Sequence, residues 1–514
     1  MKKTDRLKNS TLNVSANTII YFVQTILSFL VRTFFIRKLG ADLLGLDSLL
    51  INVLSALSLV ELGFSSAISY GLYKPLAEKN VKKINAYMSF YKKVYKIVGL
   101  FVLVIGIIIS FFLRRIIGDI DYNYLYVVYF LYLFNSVSLY FVSYKDILLM
   151  ADQKNYKIFK YNCIFTFLLY SFQIVSIVVF SNYVLYIVSL ILFRLLNRLF
   201  VNRYISRNYK NIDFNSNEKL SKSDIDDLKS NIAGLFCYKI GDYAINCTDN
   251  IIISSFINVV LVGIYTNYLS IITIVRSIVK NIFSGLTASY GNLNVEKNDE
   301  AKINVFEIMT FISFVVSGYV AIIFLNLLNP FIQLWIGKRY LLPINSVVII
   351  VINFYLMCNQ MPLDTVKESL GFYKKDRYIP VLQAIINILL SIVLVNFIGF
   401  NGIIVATTIS YLVTVFWNKP FVIYKYLFEK SCFNYFINQI KYMVTLVFMY
   451  FCTYSILNYF DLSINIINLI FSGLLITLFY VVIISLLFYR RGEYKFILNM
   501  VKSIFCSFRK KVVK

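Results

Sequence analysis

SNIAGLFCYKIGDYAINCTDNIIISSFINVVLVGIYTNYLSIITIVRSIVKNIFSGLTASYGNL, Ser230 to Leu293, holds two apolar runs that meet at the uncharged turn Asn258–Gly263. Each run is long enough to cross a bilayer, whose hydrocarbon core of about 30 Å takes roughly 20 helical residues. Set into this apolar material are Lys239, Asp242, Asp249, Arg276 and Lys280. An ionisable group at membrane depth costs about 3 kcal/mol or more unless it faces a partner or a wet cavity. Lys239, Asp242, Asn246 and Asp249 recur at steps of three and four, so they share one helix face. Arg276 and Lys280 are likewise one turn apart. The two helices read as the wall of a polar cavity inside a membrane protein.

Composition extends that reading to the whole chain. Of 514 residues, 59% are hydrophobic and only 15% charged, with a mean hydropathy of +0.72. Soluble proteins carry about 25% charged residues, so the apolar excess has to face lipid. The expected class is an all-α polytopic membrane protein. A net charge of +25 would point to nucleic acid in a soluble domain. Here the basic residues flank apolar segments, so they report topology and contact with anionic lipid, and no nucleic-acid partner is expected. The chain has no His, which excludes His-ligated metals, His proton relays and His-based triads. Its Cys residues (163, 237, 247, 358, 432, 452 and 506) form no CxxC pair and read as small buried hydrophobes. Neither a metal nor another cofactor is expected. No Walker loop, GxSxG, HExxH or Asp-x-Asp pair appears, so the chain does not read as an enzyme.

Measured against a span of about 20 residues, the sequence predicts fourteen transmembrane helices. They fall near 13–36, 45–73, 94–113, 123–149, 158–180, 182–202, 231–256, 261–288, 303–328, 344–367, 379–398, 401–425, 437–459 and 464–489. With the N-terminus inside, inner segments hold thirty-six Lys and Arg and outer segments six. Cytoplasmic loops carry the excess of positive charge, so both termini are placed in the cytoplasm. The basic start MKKTDRLKNS lacks a cleavage site and reads as the entry to the first span.

The longest inner connection, 203–230, divides a six-helix lobe at 1–202 from a second at 231–425, with two additional helices and a basic tail at 426–514. The second half opens much as the first does. Asn9-Ser10 precedes span 1 and Ser230-Asn231 precedes span 7. Gly45-Leu46-Asp47-Ser48 opens span 2 and Gly263-Ile264-Tyr265-Thr266 opens span 8. Such a same-orientation repeat is a transporter plan, with the substrate site between the halves.

Depth sorts the ionisable groups. Lys239, Asp242, Arg276 and Lys280 fall at overlapping depths, three cations to one anion. That is a setting for a phosphate or diphosphate, unless Asp242 pairs with Arg276 and merely ties the helices together. Arg32 sits toward the outer end of span 1, where it lines the cavity or snorkels. Glu61 is too deep to snorkel and is a candidate for ion or proton coupling, or for a structural hydrogen bond. Lys145, Asp146, Arg194 and Arg198 read as interfacial. Asp364, Lys367 and Glu368, at steps of three and four, read as a self-neutralised cluster.

Several stretches carry a family resemblance. They are LxNSxxNxxxN (7–17), RTFFIRKLGADLLGL (32–46), ELGFSSAISYGLYKPLAEKN (61–80), TDNIIIS…VGIYTNY (248–268), SYGNL (289–293) and NPFIQLWIGKRYLLP (329–343). Together they resemble the Wzx-type polysaccharide flippases of the multidrug/oligosaccharidyl-lipid/polysaccharide exporter superfamily. The resemblance implies two six-helix lobes in a V-shaped arrangement. It implies as cargo an undecaprenyl-pyrophosphate-linked oligosaccharide, turned across the cytoplasmic membrane by alternating access and coupled to a cation, H+ or Na+. Partner enzymes would be a polysaccharide polymerase and glycosyltransferases, in capsule, exopolysaccharide or O-antigen synthesis. Arg32 matches the family's basic residue on span 1 and Asp249 the acid in TDN on span 7. Substrate binding then falls to Arg32, Lys239, Asn246, Arg276 and Lys280, and ion coupling to Glu61, Asp242 and Asp249. Fourteen spans departs from the commoner count of twelve and is shared with lipid II flippases, which keeps that cargo open. A drug exporter of the superfamily would carry cations, which a net-positive cavity disfavours. A membrane polysaccharide polymerase would present a long outer loop, and the outer loops here are short.

Overall fold

A computed structural model describes residues 3–61, 64–117, 124–284, 286–287, 290–291, 299–370, 376, 378–460, 463–499 and 502. Of the loop cations, Lys2, Lys297, Lys374, Lys375, Arg377 and the tail from Arg509 onward lie outside them. Two compact units, Met1–Thr266 and Asn267–Lys514, make up the chain.

The first unit contains α1 (Lys3–Leu57), α2 (Phe64–Glu78), α3 (Val81–Ser110), α4 (Leu125–Val142), α5 (Phe159–Val178), α6 (Tyr183–Asn208) and α7 (Lys222–Phe256). It ends in the first residues of α8 (Val259–Ser284). Helix α1 is broken at Gly40, whose φ of +91° is closed to most side chains. Nothing lies within 4 Å of where a Cβ would sit there, so the backbone turn and not crowding calls for glycine. The break divides the expected spans 13–36 and 45–73. Side-chain caps start several helices: Asn80 for α3, Asn182 for α6 and Ser221 for α7 each accept from a backbone N–H of the first turn.

The second unit takes the rest of α8, then α9 (Asp299–Ile336), α10 (Ile344–Asn359), α11 (Met361–Leu370), α12 (Ile379–Ile398), α13 (Phe400–Val413), α14 (Val415–Ile423), α15 (Phe433–Phe460) and α16 (Ile466–Phe488). Pro343 leads into α10, and Gly399 at φ +58° turns α12 into α13. The two helices expected as additions pack on α9. Phe314 stacks on Tyr442 at 4.1 Å, Phe311 meets Phe488 at 5.3 Å, and the Tyr480 hydroxyl donates to the Val315 carbonyl at 2.9 Å.

Twelve described helices are long and apolar enough to cross a membrane. One of them, Ser15–Leu57, carries the expected span 13–36 and the opening of 45–73 across Gly40, and the described remainder of 45–73 falls in Ser58–Glu61 and α2. The expected span 231–256 lies within α7, helical throughout, whose Lys239, Asp242, Asn246, Asp249 and Asn250 lower its hydropathy. Apolar side chains cover much of the outside, as with Phe397 and Ile467, each more than three-quarters exposed. In water such surface would drive aggregation; in lipid it is the solvent-matched face. The protein is an all-α, multi-pass membrane protein.

Candidate functional site

In the first unit the two arms of α1 bring opposite charges together. Arg32, half-buried on the first arm, interacts with Asp47, which is buried on the second. The Arg32 guanidinium donates to the Thr266 hydroxyl of α8 at 2.9 Å, and the Ser48 hydroxyl donates to the same oxygen at 3.4 Å. Asp47 accepts from the hydroxyls of Tyr132 on α4 and Tyr183 on α6. Phe35 braces that side, meeting Tyr183 at 5.6 Å and Tyr186 at 5.2 Å edge to face. The rings fix the hydroxyls that hold the carboxylate, and the carboxylate in turn offsets the cost of Arg32 at that depth.

Arg194 on α6 stands beside Tyr132, Tyr170 and Tyr186 and keeps an exposed side chain. One turn on, Arg198 pairs with Asp146. Arg32 and Arg198 are thus each matched by an aspartate, whereas among the described residues no carboxylate pairs with Arg194. Asp47 and Arg194 were not singled out from the sequence as site residues. Asp47 served there only as a marker of the repeat, although a carboxylate seven residues past Gly40 in an apolar run was itself a signal. Arg194 read as interfacial, because nothing in α6 alone shows that tyrosines of α4 and α5 surround it.

Glu61 forms a second group. Its carboxylate accepts from the Ser65 hydroxyl at 2.9 Å and from the Tyr95 hydroxyl. Ser65 also shares hydrogen bonds with Tyr91 at 2.9 Å and Tyr95 at 3.0 Å. The ring of Tyr95 meets Tyr91 at 4.2 Å and Tyr140 at 5.6 Å. Among the described residues no basic side chain lies within ion-pair distance of Glu61. A carboxylate dressed by hydroxyls, with no fixed cation, has the donor set for a mobile cation or a proton. Along α1 and the turn after it, Asp47 and Glu61 are separated by about 20 Å.

Asp249 is buried on α7 beside Tyr265 of α8. The side chains of Lys239, Asp242 and Asn246 lie outside the described residues, although the backbone there is helical.

In the second unit, Arg276 is half-buried and donates to the Met357 sulfur at 3.0 Å, a weak acceptor. Among the described residues no carboxylate reaches it. Lys280, one turn on, is exposed and interacts with Glu368. The expected self-neutralised cluster takes another form. Lys367 is buried in an ion pair with Asp376, both side chains 2% exposed. Asp364 pairs with Lys419 of α14, which also donates to Gln360 at 3.2 Å. Steps of three and four put Asp364 and Lys367 on one helix face, but folding offered each a partner outside its own helix. No group of metal-ligating side chains occurs among the described residues.

No protein-family model matches the chain, and no curated protein matches it in sequence. Solved structures do match in shape. The lipid II flippase MurJ in an inward closed conformation aligns with a TM-score of 0.69 at 11% identity, over 92% of this chain and 98% of that one. An inward-facing multidrug resistance MATE family transporter of the MOP superfamily aligns at 0.63 and 12% identity, over 77% and 93%. The Vibrio cholerae MATE transporter VcmN aligns at 0.57 and 12% identity, over 84% and 99%. At these identities the likeness is one of fold: the chain has the fold of MOP-superfamily transporters.

Proposed function

We propose that this protein is a flippase for an undecaprenyl-pyrophosphate-linked oligosaccharide, working by alternating access in the cytoplasmic membrane with both termini inside. The observation that carries the reading is Arg276, a half-buried guanidinium bonded to a thioether and reached by no described carboxylate. A planar guanidinium at this depth suits the paired oxygens of a diphosphate. Lys280 one turn away, Lys239 on α7 and Arg32 add charge for a diphosphate, and Asn246 with the tyrosine walls suits sugar hydroxyls. The polyprenyl tail stays in the bilayer. Moving such a head unaided is prohibitive, since each unpaired polar group in hydrocarbon costs several kcal/mol.

Glu61, Asp242 and Asp249 are assigned to coupling with H+ or Na+. The cargo makes a polysaccharide polymerase and glycosyltransferases the natural partners, in capsule, exopolysaccharide or O-antigen synthesis. Lipid II is the second reading, favoured by the 92% of this chain that aligns with MurJ. A cationic drug as cargo is disfavoured by the sequence's excess of Lys239, Arg276 and Lys280 over Asp242.

In cells that depend on this chain for surface polysaccharide, Arg276→Ala combined with Lys280→Ala is expected to abolish export while membrane abundance stays at the parental level. Normal export by that variant refutes the diphosphate role.

A further inference from the structure

At one end of the first unit, α2, the turn after the short helix Asp146–Ala151 and the end of α6 enclose a cleft of about 970 Å³ that the transport reading does not use. Four cations line it, Lys79, Lys154, Arg207 and Lys210, against one acid, Asp152. That acid is engaged already: it accepts from the Tyr209 hydroxyl at 2.5 Å and lies 2.6 Å from Lys154. Among the described residues no carboxylate pairs with Lys79, Arg207 or Lys210, and all three are exposed. Tyr73, also exposed, and Leu76 give the cleft an apolar side.

A second observation comes from the backbone. Lys79 and Gln153 are both left-handed, at φ +54° and +56°. Each ends a helix in the same way: Lys79 N–H donates to Leu76 and Asn80 N–H to Pro75, while Gln153 N–H donates to Met150 and Lys154 N–H to Leu149. Glycine takes this position without strain. Here both helix ends carry a long polar side chain instead, and both side chains line the one cleft. Ser181 and Glu429 take the same conformation elsewhere, so what sets this place apart is that two of the four left-handed non-glycine residues among the described ones border one cationic cleft.

We propose that this cleft binds the phosphate-bearing headgroup of an anionic lipid from the adjoining leaflet. The Arg207 fork suits a phosphodiester, and Lys79 and Lys210 act as point charges around it. Tyr73 and Leu76 lie where the glycerol and first methylenes would run. A soluble phosphate would leave that apolar side unused, and the sequence has no glycine-rich phosphate loop. That the leaflet is the cytoplasmic one rests on the charge asymmetry of the loops; the site itself does not depend on the cargo.

The test is native mass spectrometry of the purified full-length chain in detergent, titrated with dioleoyl phosphatidylglycerol and, separately, dioleoyl phosphatidylcholine. The wild type is expected to retain the anionic lipid about tenfold more strongly, the scale of one or two cations near a membrane surface. Lys79→Gly with Arg207→Gln is expected to bring retention down to the phosphatidylcholine level. Because Lys79→Gly relaxes a left-handed turn, that single variant should unfold no earlier than wild type, which separates lost binding from lost folding. Equal retention of the two lipids, or undiminished phosphatidylglycerol in the double variant, overturns the proposal. Binding of sodium diphosphate without the lipid overturns its lipid source. Transport is not measured, so none of these results bears on the flippase reading.

Discussion

Gly45 of α1 and Gly263 of α8 meet backbone to backbone. A Cβ on Gly45 would lie 2.0 Å from the Val259 carbonyl oxygen, and one on Gly263 would lie 2.2 Å from that of Ala41. These are the matched glycines of the repeat expected from the sequence, and the matched Ser48 and Thr266 share a 3.4 Å hydrogen bond. In lipid, apolar helices gain nothing from burying one another, so close approach through small residues is what holds a crossing together.

Gly263→Ala should therefore force α1 and α8 apart. Overpacking costs about 1–3 kcal/mol, and the thermal unfolding of the purified protein in detergent should fall by several degrees. Gly473→Ala is the control, since its nearest neighbour is Leu327 Cδ1 at 3.7 Å. Identical unfolding of the two variants contradicts the crossing.

The Lys367–Asp376 pair makes a different prediction. Breaking a buried ion pair from one side leaves an uncompensated charge and costs about 3–5 kcal/mol, whereas replacing both partners by apolar residues is close to neutral. Lys367→Met alone should strongly destabilise the protein, and Lys367→Met with Asp376→Leu should recover most of the loss. A double variant no better than the single would mean that the two charges are not partners.

Glu61 and its hydroxyls bear on coupling. Glu61→Gln keeps the hydrogen bonds with Ser65 and Tyr95 within reach but removes the charge. Transport by this variant should lose its dependence on the cation gradient, and Asp249→Asn should weaken it. Unchanged gradient dependence in both removes these acids from coupling.

The first turn of α7 is tied to α3 by a group that titrates. Burial pushes the Asp224 carboxyl up, but hydrogen bonds from Lys83 and Ser221, the Lys83 charge and the Tyr87 hydroxyl outweigh it and hold the carboxyl below its ordinary value. The Lys83–Asp224 contact is 2.7 Å. A lowered acid stabilises the docked form above its unfolded pKa of about 4, and that stabilisation is lost as pH falls through the lower folded value. Exposed pairs are worth at most about 1 kcal/mol. Protection from hydrogen exchange at 213–226, corrected for the intrinsic pH dependence of amide exchange, should therefore be high at neutral pH and fall modestly below about pH 4 in the wild type. Asp224→Asn should show the lower protection at every pH. A wild-type profile flat down to pH 3 would contradict the tie.

How much of this could be read from residue order depends on the range of the interaction. Spans were legible because about 20 consecutive apolar residues are a local signal, and the break at Gly40 falls between the first two. Arg32 and Glu61 stood out because a charge in an apolar run is conspicuous by itself. Their companions did not. Tyr132 and Tyr183 reach Asp47 from helices 85 and 136 residues away in sequence, and no periodicity within one helix encodes such a meeting. Asp364 and Lys367 show the converse: a local rule offered each a partner, and longer-range packing supplied a different one.

The most direct test is transport in vesicles. The purified chain is reconstituted with a fluorescent undecaprenyl-pyrophosphate-linked oligosaccharide, and the fraction accessible to an external quencher is followed with time. We expect wild type to move the lipid across, Arg276→Ala with Lys280→Ala to fall to the rate of protein-free vesicles, and Gly473→Ala to match wild type. Equal rates for wild type and the Arg276/Lys280 variant would contradict the claim that these cations receive the diphosphate.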